Sequence, residues 1–167
     1  GLAGFGGCYS DFAFSTLNTF VRMGSNSSLT SDVRIVAESR SAIDMTSTSD
    51  QKVNAAGNDN SVYSRVLATP VTRVWVLSNA VLAAPEIKIG ALTEDVYGLA
   101  LAKADNFGFF CSSLRSDAHV NYTVDTHVNI FSGAVLDGPN LVEIRVETGN
   151  VFAETAASLD VDSIDPD

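Results

Sequence analysis

Two histidines and a terminal run of aspartates are the residues of this chain best suited to chemistry. His119 and His127 are its only imidazoles, and His127 lies two residues beyond Asp125 in "NYTVDTHVNI". A nucleophilic triad would need a third group and an oxyanion site, and no G-x-S-x-G elbow is present. In an extended strand, positions 125 and 127 share one face, so both are expected to be solvated polar residues. The end of the chain, "SLDVDSIDPD", carries Asp160, Asp162, Asp165 and Asp167. Crowded oxygen ligands of this kind suit Ca²⁺, which makes Asp160, Asp162 and Asp165 the candidate metal set. The stretch lacks the glycine and closing glutamate of an EF-hand loop, so a solvated linker is the favoured reading. "GLAGFGG" is glycine-rich but has no strand before it and no helix after it, a poor dinucleotide loop. No catalytic residue and no cofactor emerge, and the chain is not expected to be an enzyme.

The elements that would position such residues follow from a repeat. "VRMGSNSSLTSDVRIVAE" begins at Val21, "VWVLSNAVLAAPEIKIGA" at Val74 and "VNIFSGAVLDGPNLVEIRVE" at Val128. The shared frame sets Ser25, Ser78 and Ser132 before Asn26, Asn79 and Gly133. It then sets Leu29, Leu82 and Leu136 four residues after each serine. Thr16, Thr69 and Thr123 fall into the same frame, as do Thr19, Thr72 and Thr126. A fixed period of this length marks an array whose copies bury their apolar faces on one another.

Within each copy the order alternates. Val33, Ile35 and Ala37 take one side, as do Ile87 with Ile89, and Val142 with Ile144 and Val146, while Arg34, Lys88, Glu143 and Arg145 take the other. This is a half-buried strand. "DVYGLALAKA", "SAIDMTSTS" and "NVFAETAAS" provide a second strand after a short polar interval. Its small residues, Gly98, Ala100, Ala102, Ala153 and Ala157, imply close approach by another layer. A helix over "YGLALAKADN" competes on propensity, but the other two copies do not support one.

These patterns predict an all-β fold, a right-handed parallel β-solenoid (β-helix) built from about three 53–54-residue repeats. Each period is expected to make roughly two coils, setting equivalent residues nearly 10 Å apart along the stack. An antiparallel β-sandwich is the alternative. The 167 residues form a single repeat-built β domain, with degenerate repeats at about 10–60, 61–115 and 116–160. The chain reads as a segment of a longer one. Cys8 and Cys111 have no metal-ligand spacing and lie close to two periods apart, so free, buried thiols are expected. The threonine ranks read as hydroxyl ladders between layers or as β-propensity, in preference to an ice-ordering face. Asn26-Ser27-Ser28 and Asn121-Tyr122-Thr123 fit the glycosylation sequon.

A net charge of −10 with scattered basic residues argues against nucleic acid. No stretch approaches the roughly 18 apolar residues of a membrane span, and no secretory leader opens the sequence.

At "VLSNAVLAAPEIKIGA", "IFSGAVLDGPNLVEIRVE" and "MGSNSSLTSDVRIVAES" the sequence resembles the repeat regions of bacterial surface adhesins and exoproteins of the filamentous-haemagglutinin and leukotoxin-like type. The resemblance runs from about residue 10 to 160. Where that pattern has a glycine pair before the second strand, this chain has Ala84-Pro85, Ser31-Asp32 and Pro139-Asn140. The resemblance implies a β-helical stalk or filament segment, extracellular or at the cell surface. Its implied partners are further copies or neighbouring repeats stacked end to end, and a host-surface or matrix ligand. The alternative is a carbohydrate-binding or carbohydrate-cleaving β-helix, such as a lyase or viral tailspike fragment. That alternative needs a groove of convergent carboxylates and basic groups, and Glu94, Asp95 and Lys103 show no such pairing in sequence.

Overall fold

A computed structural model describes residues 4–13, 17–54, 58–108 and 114–163, with side chains described for 17–52, 61–105 and 115–160. Every described element is a strand, and all pairings among the described strands are parallel. The fold is therefore all-β with parallel sheets, and the antiparallel sandwich is excluded. The segment open to a helical reading, "YGLALAKADN", is strand throughout.

Each copy of the repeat forms one layer. The first contains β1 (Gly4–Ala13), β2 (Leu17–Met23), β3 (Ser28–Thr30) and β4 (Arg34–Asn54). The second contains β5 (Asn58–Ala68), β6 (Pro70–Val76), β7 (Val81–Ala83) and β8 (Glu86–Gly108). The third contains β9 (Leu114–Tyr122), β10 (Asp125–Ile130), β11 (Val135–Asp137), β12 (Leu141–Thr148) and β13 (Val151–Ser163). Sheets run across the layers, in the orders β1-β5-β9, β2-β6-β10, β3-β7-β11 and β4-β8 with β12 and β13.

The register is the one the sequence frame set. Val21 pairs with Val74 and Val74 with Val128, and the Thr19, Thr72, Thr126 and Leu29, Leu82, Leu136 columns align likewise. One period, however, makes a single layer, so equivalent residues are direct hydrogen-bonded neighbours. This corrects the spacing of nearly 10 Å that two coils per period would set between equivalent residues. The reason lies at the short polar interval between the two strands expected in each copy. In the first copy β4 passes it by a register irregularity between Ser41 and Ile43, with Ala42 standing where β8 has Glu94 and Asp95. The alternation continues on the same face beyond it, and the strands reach 21 and 23 residues. At about 3.3 Å per residue such a wall is some 70 Å long, which uses the chain that a second coil would have needed.

The Ser-Asn and Ser-Gly steps are stacked turns. Asn26 (φ 55°), Asn79 (φ 58°) and Gly133 (φ 75°) adopt left-handed backbone, which asparagine and glycine tolerate best. Asn26 N–H donates to the Ser78 carbonyl at 3.1 Å and Asn79 N–H to the Ser132 carbonyl at 3.2 Å, so the serines line up. Asn79 Nδ2 donates to Asn26 Oδ1 at 3.1 Å, and a Cβ on Gly133 would lie 2.1 Å from Asn79 Oδ1. Glycine therefore ends the asparagine ladder.

Inside, aliphatic columns alternate with hydroxyls. Val74, Val76, Leu82, Ile87 and Ile89 centre one core cluster, while Val66, Val96 and Ala100 centre a second. The buried Thr72 and Thr93 hydroxyls bond at 2.9 Å, Thr93 reaches Thr126 at 2.6 Å, and Thr19 donates to Thr72 at 3.4 Å. The central threonine column thus forms an internal ladder and presents no water-ordering face. The small-residue expectation holds at Gly98, which lies under Tyr122, whose Oη would be 1.4 Å from an added Cβ, and at the buried Ala100 and Ala102, whereas Ala153 and Ala157 are exposed.

Candidate functional site: the open third layer and the groove beside it

The three layers share a pattern but differ in what covers them. β8 faces β5 and β6 on one side of its level and β9 and β10 on the other, and β4 likewise lies between β1, β2 and β5, β6. Among the described strands, β12 faces chiefly β10 and β13 chiefly β9. Inward positions record the difference. Ile35, Ile87 and Val142 occupy one column and are 5%, 0% and 40% exposed; Ile43, Val96 and Val151 occupy another and are 8%, 0% and 48% exposed. Ile144, Val146 and Leu159 are also open. The third layer therefore shows water an interior face together with a sheet edge, whose free backbone groups invite pairing. At the other end, the inward Leu17, Val21 and Met23 of β2 are only partly buried, and Leu29 is exposed.

The outward face of the same wall is charged. Arg40 bonds Glu38 at 2.9 Å and Glu94 at 3.4 Å, Lys88 bonds Glu143 at 3.0 Å, Lys103 bonds Asp105 at 3.0 Å, and Arg145 pairs with Glu147. Hydrogen bonds donated to their carboxylate partners, Glu38, Asp105 and Glu147, raise the Arg40, Lys103 and Arg145 pKa values. A groove of about 630 Å³ runs over the interval that interrupts the strands, lined by Arg40, Glu94, Asp95, Arg145 and Glu147 among others. Sequence reasoning missed this convergence, because its members come from all three layers. Glu94 and Glu147 are paired there with arginines, and Asp95 Oδ1 accepts from the Asn150 backbone N–H at 3.1 Å and from its amide at 3.2 Å. Lys103, weighed with them in sequence, lies further along β8 and is engaged by Asp105.

His127 Nδ1 and Asp125 Oδ1 are 2.8 Å apart, on the outward face where strand alternation sets them, and Arg73 pairs with the other carboxylate oxygen. Hydrogen bonds from Arg73 and then His127 hold the Asp125 carboxyl below the usual carboxylate range. The trio is half-buried and partly screened. Beside it, Phe20, Arg22, Arg73 and Trp75 line a cleft of about 240 Å³. His119 is separately occupied, with Nε2 2.9 Å from Asp117 and its ring 5.7 Å from that of Tyr63.

Of the candidate metal residues, Asp160 is exposed on β13 and Asp162 lies two residues along that strand; its side chain and all of Asp165 fall outside the described residues. Among the described residues no group of three His, Cys, Asp or Glu side chains is placed to hold a metal ion. The Cys8 side chain and Cys111 also fall outside the described residues. Among the described residues no helix is long and apolar enough to cross a membrane. No family model, curated protein or solved structure matches the chain.

Proposed function

We propose that this chain is a structural stalk or filament segment: a parallel β-solenoid of an exported, adhesin-like surface protein, with no catalytic role. The observation that carries the reading is the register, in which each copy of a degenerate repeat pairs in parallel with the next at equivalent residues. Such a stack grows by adding layers and needs no separate core for each copy. The net charge of −10 supports a rod that repels its neighbours sideways. A chain of this kind acts at the cell surface or outside it.

The test is fibre diffraction from oriented concentrated protein, with a reflection near 4.8 Å expected along the stacking axis, combined with incubation on acidic and neutral polysaccharides. No reducing ends should be released. A second reading, a carbohydrate-binding or carbohydrate-cleaving face, is favoured by the groove holding Arg40, Glu94, Asp95, Arg145 and Glu147. Depolymerisation that disappears in Glu147→Gln would replace the stalk reading with this one.

A further inference from the structure

Resting on the stalk reading, the column order of the long wall points to a specific joint: we infer that the β12–β13 edge of one molecule receives the first layer of a second copy, with β4 continuing the sheet in register. The inference starts from the unburied interior of the third layer. Val142, Ile144 and Val151 sit in columns whose second-layer members are closed from water. A fourth layer of the same period would close them.

The first layer fits that place by shape and by charge. Ile35 would follow Val142, Ala37 would follow Ile144, Ile43 would follow Val151 and Met45 would follow Ala153, because each pair shares a β8 partner. On the opposite wall Val21 would follow Val128, and Met23 would follow Ile130. On the outward face the same arithmetic of shared partners, Gly90, Leu92 and Asp105, sets Glu38 on Arg145, Arg40 on Glu147 and Lys52 on Asp160. All three are opposite in sign, and no described outward position of β4 meets a like charge directly. The order Glu38, Arg40 on one edge is the reverse of Arg145, Glu147 on the other. Attraction between these edges is already present inside one molecule. Glu38 leans into the space over Gly90, where an added Cβ would lie 3.1 Å from its Cγ, and it contributes to raising the Arg145 pKa. At the corner, Asn26 of the second copy would meet Gly133, which adds no side chain to the contact. The two surfaces are different, so the contact is head-to-tail and does not close on itself.

The test uses two double variants of the chain. Arg145→Glu with Glu147→Arg reverses the receiving edge while keeping its internal ion pair; Glu38→Arg with Arg40→Glu reverses the entering edge. Wild type should associate with rising concentration into linear oligomers, followed by sedimentation and electron microscopy. Each variant alone should associate at least about tenfold more weakly, and an equimolar mixture should recover assembly, because each reversed edge then finds its complement. Ile144→Lys, at a position already exposed, should block assembly with the fold retained by circular dichroism. Wild type that stays monomeric at every concentration, association that ignores both reversals, or a mixture that fails to recover overturns the joint. Those outcomes leave the layer register and the polysaccharide assay untouched, so loss of the joint is distinguishable from loss of the stalk reading.

Discussion

The second and third layers are near-copies in pattern and opposites in circumstance. Ile87 and Val142 occupy the same column, yet one is 0% and the other 40% exposed. Alternation in sequence therefore establishes which side of a strand faces inward, while burial depends on whether a further layer lies beyond. The largest expected effect probes that contrast. Ile89→Ala should cost about 2–5 kcal/mol, whereas Ile144→Ala in the same column should cost under about 1 kcal/mol, since most of its apolar surface is already wet. Urea denaturation of monomeric protein measures both. Equal losses would mean that the third layer is covered in solution, which is also what assembly would produce at higher concentration.

Next comes the close approach at Gly98. Gly98→Ala should destabilise by about 1–3 kcal/mol as the added methyl drives Tyr122 aside, and Tyr122→Leu in the same chain should return part of the loss. A double-mutant cycle reads the coupling. The third effect compares a turn within the stack with one at its end. Asn79→Ala should cost about 1–2 kcal/mol, because alanine resists the positive φ and the side-chain bond to Asn26 is lost. Asn79→Gly should cost less by keeping the backbone freedom. At Gly133, Gly133→Asn should be tolerated in φ but must displace the Asn79 amide.

The smallest effect concerns Asp125. Its folded pKa lies below the unfolded value of about 3.9, so its contribution is present above that value and fades as pH falls through the folded pKa. The group is more than a third exposed, and the effect should stay under about 1 kcal/mol. Asp125→Asn should flatten the stability profile below about pH 4, measured by urea midpoints. An unchanged profile would show that Arg73 and His127 give the carboxylate nothing beyond what water gives.

Much of the fold was legible in the residues. The Val21, Thr19 and Leu29 columns predicted from spacing are columns that pair, Thr16 of the other threonine column lies outside the described residues, and the Ser-Asn, Ser-Asn, Ser-Gly steps are the turns where left-handed backbone is needed. The length of strand in each layer was not legible. "SRSAID" and "LTEDVY" separate two expected strands because they are polar, but one or two added residues in a strand bend it without ending it. The charged groove and the complementary edges were hidden for another reason: their members lie more than fifty residues apart and meet only once the exact offset of each wall is known. The aspartate candidates rested on local crowding, and an extended strand spreads neighbouring carboxylates along its length.

The threonine ladder in the interior has a consequence for how the stack assembles during folding. Sliding one layer by two residues along its neighbour would preserve the inward-outward alternation, and so aliphatic contacts alone discriminate weakly against it. Such a slip would set Leu17 or Val21 against Thr72 in place of Thr19 and break the hydroxyl contact between those layers, at about 1–3 kcal/mol for a hydroxyl left without its partner. The buried hydroxyls thus act as an indexing pin, rejecting misaligned layers that greasy side chains would accept.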